Sequence, residues 1–211
     1  MKKDKLLLRT ICHEWGHCLQ YLFGGYIKFV YGLEVESSLE RVDGHTFVNS
    51  LILCDYSMEN PTNATMQVMC LDDVENISIF VAGAVAEKIC GYTKGVVKGT
   101  DKAKIKSITN DKNFIDEIYN DVVEKMAPFK TILEYLTEKT LENHIVKDAD
   151  REIRVEVSKE DMISLLKEAF INNGGDVELL EKEGPNIAKT DMPIKISNDI
   201  LMQHENIRTI R

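Results

Sequence analysis

Apolar residues recur at helical spacing from the start of the chain. Leu8, Ile11, Trp15 and Leu19 share one face of a helix predicted from Asp4, as N-cap, to Phe23, with Gly24-Gly25 ending it. From Tyr26 to Cys54 the pattern turns β-branched and aromatic, with Ile27, Phe29, Val30, Val35, Thr46 to Val48 and Leu51 to Leu53 punctuated by Gly32 and Asp43-Gly44. This predicts a small antiparallel sheet or ribbon. Ser57 to Thr65, polar and carrying Pro61, predicts a surface loop. Helical spacing resumes over Leu71 to Ile89 and stops near Gly91, and Thr100-Asp101 opens a further helix with Ile105 and Ile108 facing inward. Asp116 to Lys125 and Phe129 to Leu141 predict two more helices, separated by Pro128; Ile153 to Val157 alternates like a strand; and Ser158 with Asp161 opens a helix ending at about Phe170. The expected fold class is predominantly α-helical with a small antiparallel β ribbon or sheet. The expected organisation is one domain over residues 1–170 and a C-terminal tail, 171–211, of uncertain order, marked by Pro185, Pro193 and little periodicity. No internal repeat is present.

Composition narrows the classes of function. With 211 residues and 44% hydrophobic content the chain can bury a core, and its net charge of −9 repels phosphate backbones and anionic lipid surfaces. No nucleic-acid partner is therefore expected. The most apolar run, Ile77 to Ala86, spans ten residues, about half of what a membrane-crossing helix needs, so no membrane insertion is expected. Lys2, Lys3 and Lys5 before Leu6 to Leu8 imitate a signal peptide, but Arg9, His13 and Glu14 interrupt the apolar stretch, which reads as a mature, cytoplasmic start. Cys12, Cys18, Cys54, Cys70 and Cys90 are odd in number and form no C-x-x-C pair, which suits free thiols in a reducing compartment. No G-x-x-x-x-G-K-[ST] phosphate-binding loop is present.

The chemistry is concentrated in His13-Glu14-Trp15-Gly16-His17, an H-E-x-x-H sequence. Residues i and i+4 of a helix lie on one face, so His13 and His17 can reach a single cation, and Glu14 flanks the pair where it can hold a water. Zinc with three protein ligands keeps a fourth position for that water and lowers its pKa to roughly 7. Trp15 lies about 200° around the helix from His13, so the tryptophan is expected in the core and the histidines at a cleft. The apolar opposite face favours a metal site over an accidental match of so short a motif. The third ligand stays open at this point: His45, His144, His204 and several acids are candidates.

In order along the chain, His13-Glu14-Trp15-Gly16-His17, then Val81-Ala82-Gly83-Ala84-Val85-Ala86-Glu87 with Gly91, then Gly99-Thr100-Asp101 resemble the peptidase domain of the FtsH family (peptidase family M41). Members of that family carry an H-E-A-G-H helix, a G-G-R-x-A-E-E helix and a T-G-A-x-x-D loop. The resemblance covers residues 5–110. It implies a zincin-like fold, Zn2+ as cofactor held by His13, His17 and Asp101, and Glu14 as catalytic general base. Glu87 is implied to orient a ligand imidazole from behind. Leu39 to Val48 resembles the ribbon that borders the cleft in this family, where an edge strand pairs with an extended substrate. Trp15 stands where alanine is usual, Ala84 where arginine is usual, and the Glu87–Asp101 loop is short. The family's ATPase module and transmembrane helices have no counterpart in these residues. The function expected is a zinc-dependent metalloendopeptidase without its own ATPase, acting on unfolded or extended protein or peptide substrate, with a separate ATPase or a specific protein as candidate partner. The alternatives are a non-catalytic zinc-binding interaction protein and a zincin of another family that cleaves a specific regulatory protein.

Overall fold

The computed structural model describes residues 2–37, 42–54, 64–147 and 153–192. The expected loop over Ser57 to Thr65 lies mostly outside them, as do the first residues of the 39–48 ribbon and residues 193–211 of the expected tail. In chain order the elements are α1 (Lys2–Gly24), β1 (Val30–Ser37), β2 (Val42–Val48), β3 (Leu51–Cys54), β4 (Ala64–Met69), α2 (Asp73–Ile89), α3 (Gly99–Ile108), α4 (Lys112–Met126), α5 (Lys130–Asn143), β5 (Ile145–Lys147), β6 (Ile153–Ser158), α6 (Lys159–Asn172) and β7 (Ile187–Met192). The fold is predominantly helical with antiparallel sheet, as the sequence pattern predicts. Among the described residues no helix is long and apolar enough to cross a membrane.

Contacts divide the described residues into two compact units: those up to Asn49 with Leu71–Asn186, and those within Ser50–Cys70 with β7. The second unit contains a three-stranded antiparallel sheet in the order β3-β4-β7.

In the first unit, α1 begins at Lys2, so Asp4 lies inside the helix rather than capping it. Ile11, Trp15, Leu19 and Leu22 on its inner face are fully buried. α2 starts with a capping box in which the Asp72 carboxylate accepts from the Glu75 N–H at 2.8 Å and Glu75 accepts from the Asp72 N–H at 3.0 Å. Every residue from Ile77 to Glu87 except Phe80 is buried, the pattern of a helix packed on all sides. α1 and α2 cross closely at Gly16, where an added Cβ would stand 2.6 Å from the Ala82 carbonyl oxygen and 2.7 Å from the Ala86 Cβ. α5 backs α1, with the Trp15 indole N–H donating to the buried Thr140 hydroxyl at 2.9 Å. That bond meets the polar need of an otherwise apolar tryptophan site.

A four-stranded antiparallel sheet in the order β2-β1-β6-β5 belongs to the same unit. Leu33 and Val35 of β1 and Val155 and Val157 of β6 alternate into the core, while Arg154 on the other face pairs with Glu34 and Glu156. α6 is capped as expected, the Ser158 hydroxyl accepting from the Asp161 N–H. Residues 171–186 pack against the end of α1: the Gly184 N–H donates to the Gly25 carbonyl at 2.9 Å and the Lys182 ammonium to the Phe23 carbonyl at 3.0 Å.

Candidate metal centre

His13 and His17 stand about one turn apart on α1, with Glu14 next to the first, and the two imidazole centroids are 4.8 Å apart with their planes at 77°. Each ring is fixed at the nitrogen that points away from the cleft. The His17 Nδ1–H donates to the Ile79 carbonyl of α2 at 2.8 Å, and His13 Nδ1 is 2.9 Å from Glu87 Oε1. Glu87 is buried rather than a surface glutamate, and its second oxygen accepts from Arg9 Nε at 3.0 Å. Backing of this kind fixes a ring's tautomer and presents the opposite nitrogen.

Both Nε2 atoms face Asp101. Its Oδ2 is 3.2 Å from His13 Nε2 and 3.5 Å from His17 Nε2. The backbone reaches this position through Gly99, in the left-handed region at φ +60°. Asp101 stands in the first turn of α3 but does not cap it: the N-cap is Lys98, without a side-chain bond. Among the described residues His13, His17 and Asp101 form the one group of three or more metal-ligating side chains, with donor atoms all within 4.8 Å. Two ligands of a tetrahedral ion bonded at about 2.0–2.1 Å stand roughly 3.3 Å apart, close to both separations from Asp101. The donor set, two imidazoles and a carboxylate, fits zinc among other divalent metals.

The charges within the cluster shift one another's titration. Burial alone would lower the His13 pKa, but hydrogen bonds to Asp101 and Glu87 and the charges of Glu14 and Glu87 outweigh it and raise the value from 6.5 to about 9. Asp101 is shifted the other way: burial would raise its pKa, and hydrogen bonds with His13 and His17 hold it well below the usual carboxylate range. Glu87 is likewise lowered, its burial outweighed by His13 and Arg9.

Glu14 is buried, and its Oε2 accepts from the Thr46 hydroxyl of β2 at 2.8 Å. An added Cβ on Gly44 would stand 2.5 Å from Glu14 Oε1, so only glycine lets the strand lie against the carboxylate. The alternation of β2 directs Gly44 and Thr46 to Glu14 and leaves His45 and Phe47 exposed. Gly83 of α2 plays the same part for His13, whose imidazole occupies the space of any Cβ there. His13, Glu14, His17, Gly44, Thr46 and Asp101 line a cavity of about 140 Å³, to which Tyr21 and Lys104 also contribute. Burial pushes the Tyr21 hydroxyl up to about 12, so it is a donor at neutral pH.

Of the candidate third ligands, the structure brings Asp101 to the pair. His45 borders the cavity from β2, His144 follows α5, and His204 lies outside the described residues. Arg9 and Tyr21 were legible in principle, at i−4 from His13 and i+4 from His17 on one helix face. The Ile79 carbonyl and the Thr46 hydroxyl bond have no sequence signature. Comparison with protein-family models, curated proteins and solved structures finds no match to this chain.

Proposed function

We propose that this chain is a zinc-dependent metalloendopeptidase, similar to the FtsH-type peptidases of family M41. One observation carries this reading: two helix-borne imidazoles and Asp101 converge at 3.2 and 3.5 Å beside a buried glutamate one residue from the first histidine. His13, His17 and Asp101 would hold the metal. Zinc bound there would polarise a peptide carbonyl and bring a coordinated water to a pKa of about 7. Glu14, held at one oxygen by Thr46, keeps the other beside Gly44 to take the attacking water's proton and pass it to the leaving amine. Tyr21 and Lys104 line the same cavity and are donors available to the developing oxyanion.

β2 has no strand on its outer side among the described residues, and it borders the cavity through Gly44 and Thr46. An extended peptide laid along it would pair through its main chain, with affinity that depends little on sequence. A structural zinc site would normally close its fourth position with Cys or His; here a carboxylate and a small polar cavity occupy that side.

The test is metal analysis of the purified protein combined with cleavage of an unfolded protein such as casein by wild type and Glu14→Gln. The expected result is about one zinc per chain in both proteins, and a rate about 10²–10⁴-fold lower in the variant. Absence of zinc, with none taken up on addition, overturns the metal site. Equal turnover by wild type and variant removes Glu14 as the base.

A further inference from the structure

A second cavity, of about 440 Å³, lies between α2, α3, α4 and the loop that joins α2 to α3. Five lysines line it: Lys88, Lys94, Lys102, Lys106 and Lys112. None forms an ion pair among the described residues. Asp116 is the single carboxylate in the lining. The surrounding stretch, residues 88–112, holds seven lysines and two aspartates in a chain whose net charge is −9, so positive charge is concentrated here against the sign of the whole molecule. Unneutralised cations sharing one concavity repel one another, and the low-dielectric walls focus their field on whatever enters.

Beneath the lysines the lining is apolar: Val97, Ile105 and Ile115 contribute to it with the ring of Tyr119. The walls are fixed in place. The Tyr119 hydroxyl donates to the Gly95 carbonyl at 2.9 Å, Gly95 adopts φ +72°, and the Lys88 ammonium stands 5.2 Å from the centre of the Tyr119 ring. An added Cβ at Gly95 would collide with the Tyr119 hydroxyl, so the loop is docked on α4 through a contact that needs glycine. The volume falls in the range of small-molecule sites, roughly 300–1,000 Å³.

We infer that this cavity binds a small organic phosphate: a doubly charged phosphate monoester met by the lysine ammonium groups, with a compact apolar group seated on Val97, Ile105, Ile115 and Tyr119. Lysine meets phosphate as a mobile point charge and needs no bidentate geometry. Inorganic phosphate would satisfy the rim alone and leave the apolar floor wet, so it should bind more weakly. This inference stands apart from the metal reading, since the two cavities share no lining residue.

The experiment is isothermal titration of the full chain with phenyl phosphate and, separately, with inorganic phosphate, at low and moderate salt. Phenyl phosphate should bind one per chain, about tenfold or more tighter than inorganic phosphate, and several-fold weaker at the higher salt. Lys94→Glu with Lys106→Glu should lower its affinity by about tenfold or more, while the same charge change at Lys125 and Lys167, exposed and outside the cavity, should alter it by less than about threefold. The inference is overturned by no saturable binding below about 10 mM, by equal affinity for the two phosphates, or by equal effects of the two double variants. Circular dichroism shows whether the variants fold; the comparison of the two phosphates on wild type decides the matter if they do not.

Discussion

His13 is held at both ring nitrogens, by Glu87 at 2.9 Å and by Asp101 at 3.2 Å, and this makes its proton and a metal direct competitors. Without metal, the folded-state pKa of about 9 exceeds the ordinary 6.5. A raised histidine contributes stability that is fully present below about 6.5 and is lost as pH climbs through about 9. Metal needs the neutral ring, so its affinity should rise with pH over the same window. Thermal melts in chelator should therefore show a midpoint falling by on the order of 5 °C across that range, with the increment from added zinc growing; a flat or rising midpoint in chelator would refute the charge assignment. Asp101 and Glu87 also separate by role. Glu87→Ala, which removes the support behind one imidazole, should weaken metal binding by about 10- to 100-fold. Asp101→Ala removes a donor and should weaken it further. The reverse order would make Glu87 the ligand.

At the scale of elements, two glycines of different kinds hold α1 against α2. At Gly16 a methyl group would meet the Ala82 carbonyl at 2.6 Å, so Gly16→Ala must push the helices apart, at a cost of about 1–3 kcal/mol, read as a lower denaturant midpoint. At Gly83 the obstacle is the His13 ring. Gly83→Ala should therefore lower metal affinity more than it lowers stability, and a loss of stability matching that of Gly16→Ala, with metal affinity unchanged, would show that Gly83 serves packing alone. The same elements show what the sequence carried. The start of α6 at Ser158 with Asp161 and its end near Phe170 were legible to within two residues, and so was the burial of Trp15 opposite His13, whereas α4 begins at Lys112, four residues before the expected Asp116, because Asp111 caps it ahead of the first apolar-periodic residues. Asp72 with Glu75 places the start of α2 two residues after the Leu71 expected from periodicity, because the cap and not the first apolar residue sets the boundary. Pairings distant in sequence were not legible: β1 takes β6 as its second neighbour and β4 takes β7, and no periodicity within a strand names its partner. The site divides in the same way. His13, Glu14 and His17 follow from spacing on one helix, whereas Asp101 arrives from 88 residues away and was indicated only by the family resemblance. Thr46 reaches Glu14 through a register that no local pattern encodes.

At the scale of the whole molecule, the geometry of the cleft would constrain what the proposed peptidase can cut. The cavity is small, about 140 Å³, and β2 beside it pairs with β1 on one side and has no strand on the other among the described residues, an edge that would suit an extended segment rather than a folded surface. A folded domain resists opening by about 5–15 kcal/mol, and these 211 residues contain no phosphate-binding loop with which nucleotide hydrolysis could pull a segment free. The purified protein should therefore cleave unfolded chains, flexible loops or a partner with an exposed site, spare compact domains, and be indifferent to ATP. The comparison is between casein and a stable folded domain, each with and without ATP. Digestion of the folded domain faster than its spontaneous unfolding would refute the argument from the cleft. Stimulation by ATP in a cell extract, absent with the purified protein, would identify a separate ATPase as the source of unfolding. Cleavage of neither substrate by zinc-loaded protein would count against a general peptidase and in favour of a narrow one or a non-catalytic zinc protein; those two separate on a binding partner, which the narrow peptidase cuts and its Glu14→Gln variant holds intact.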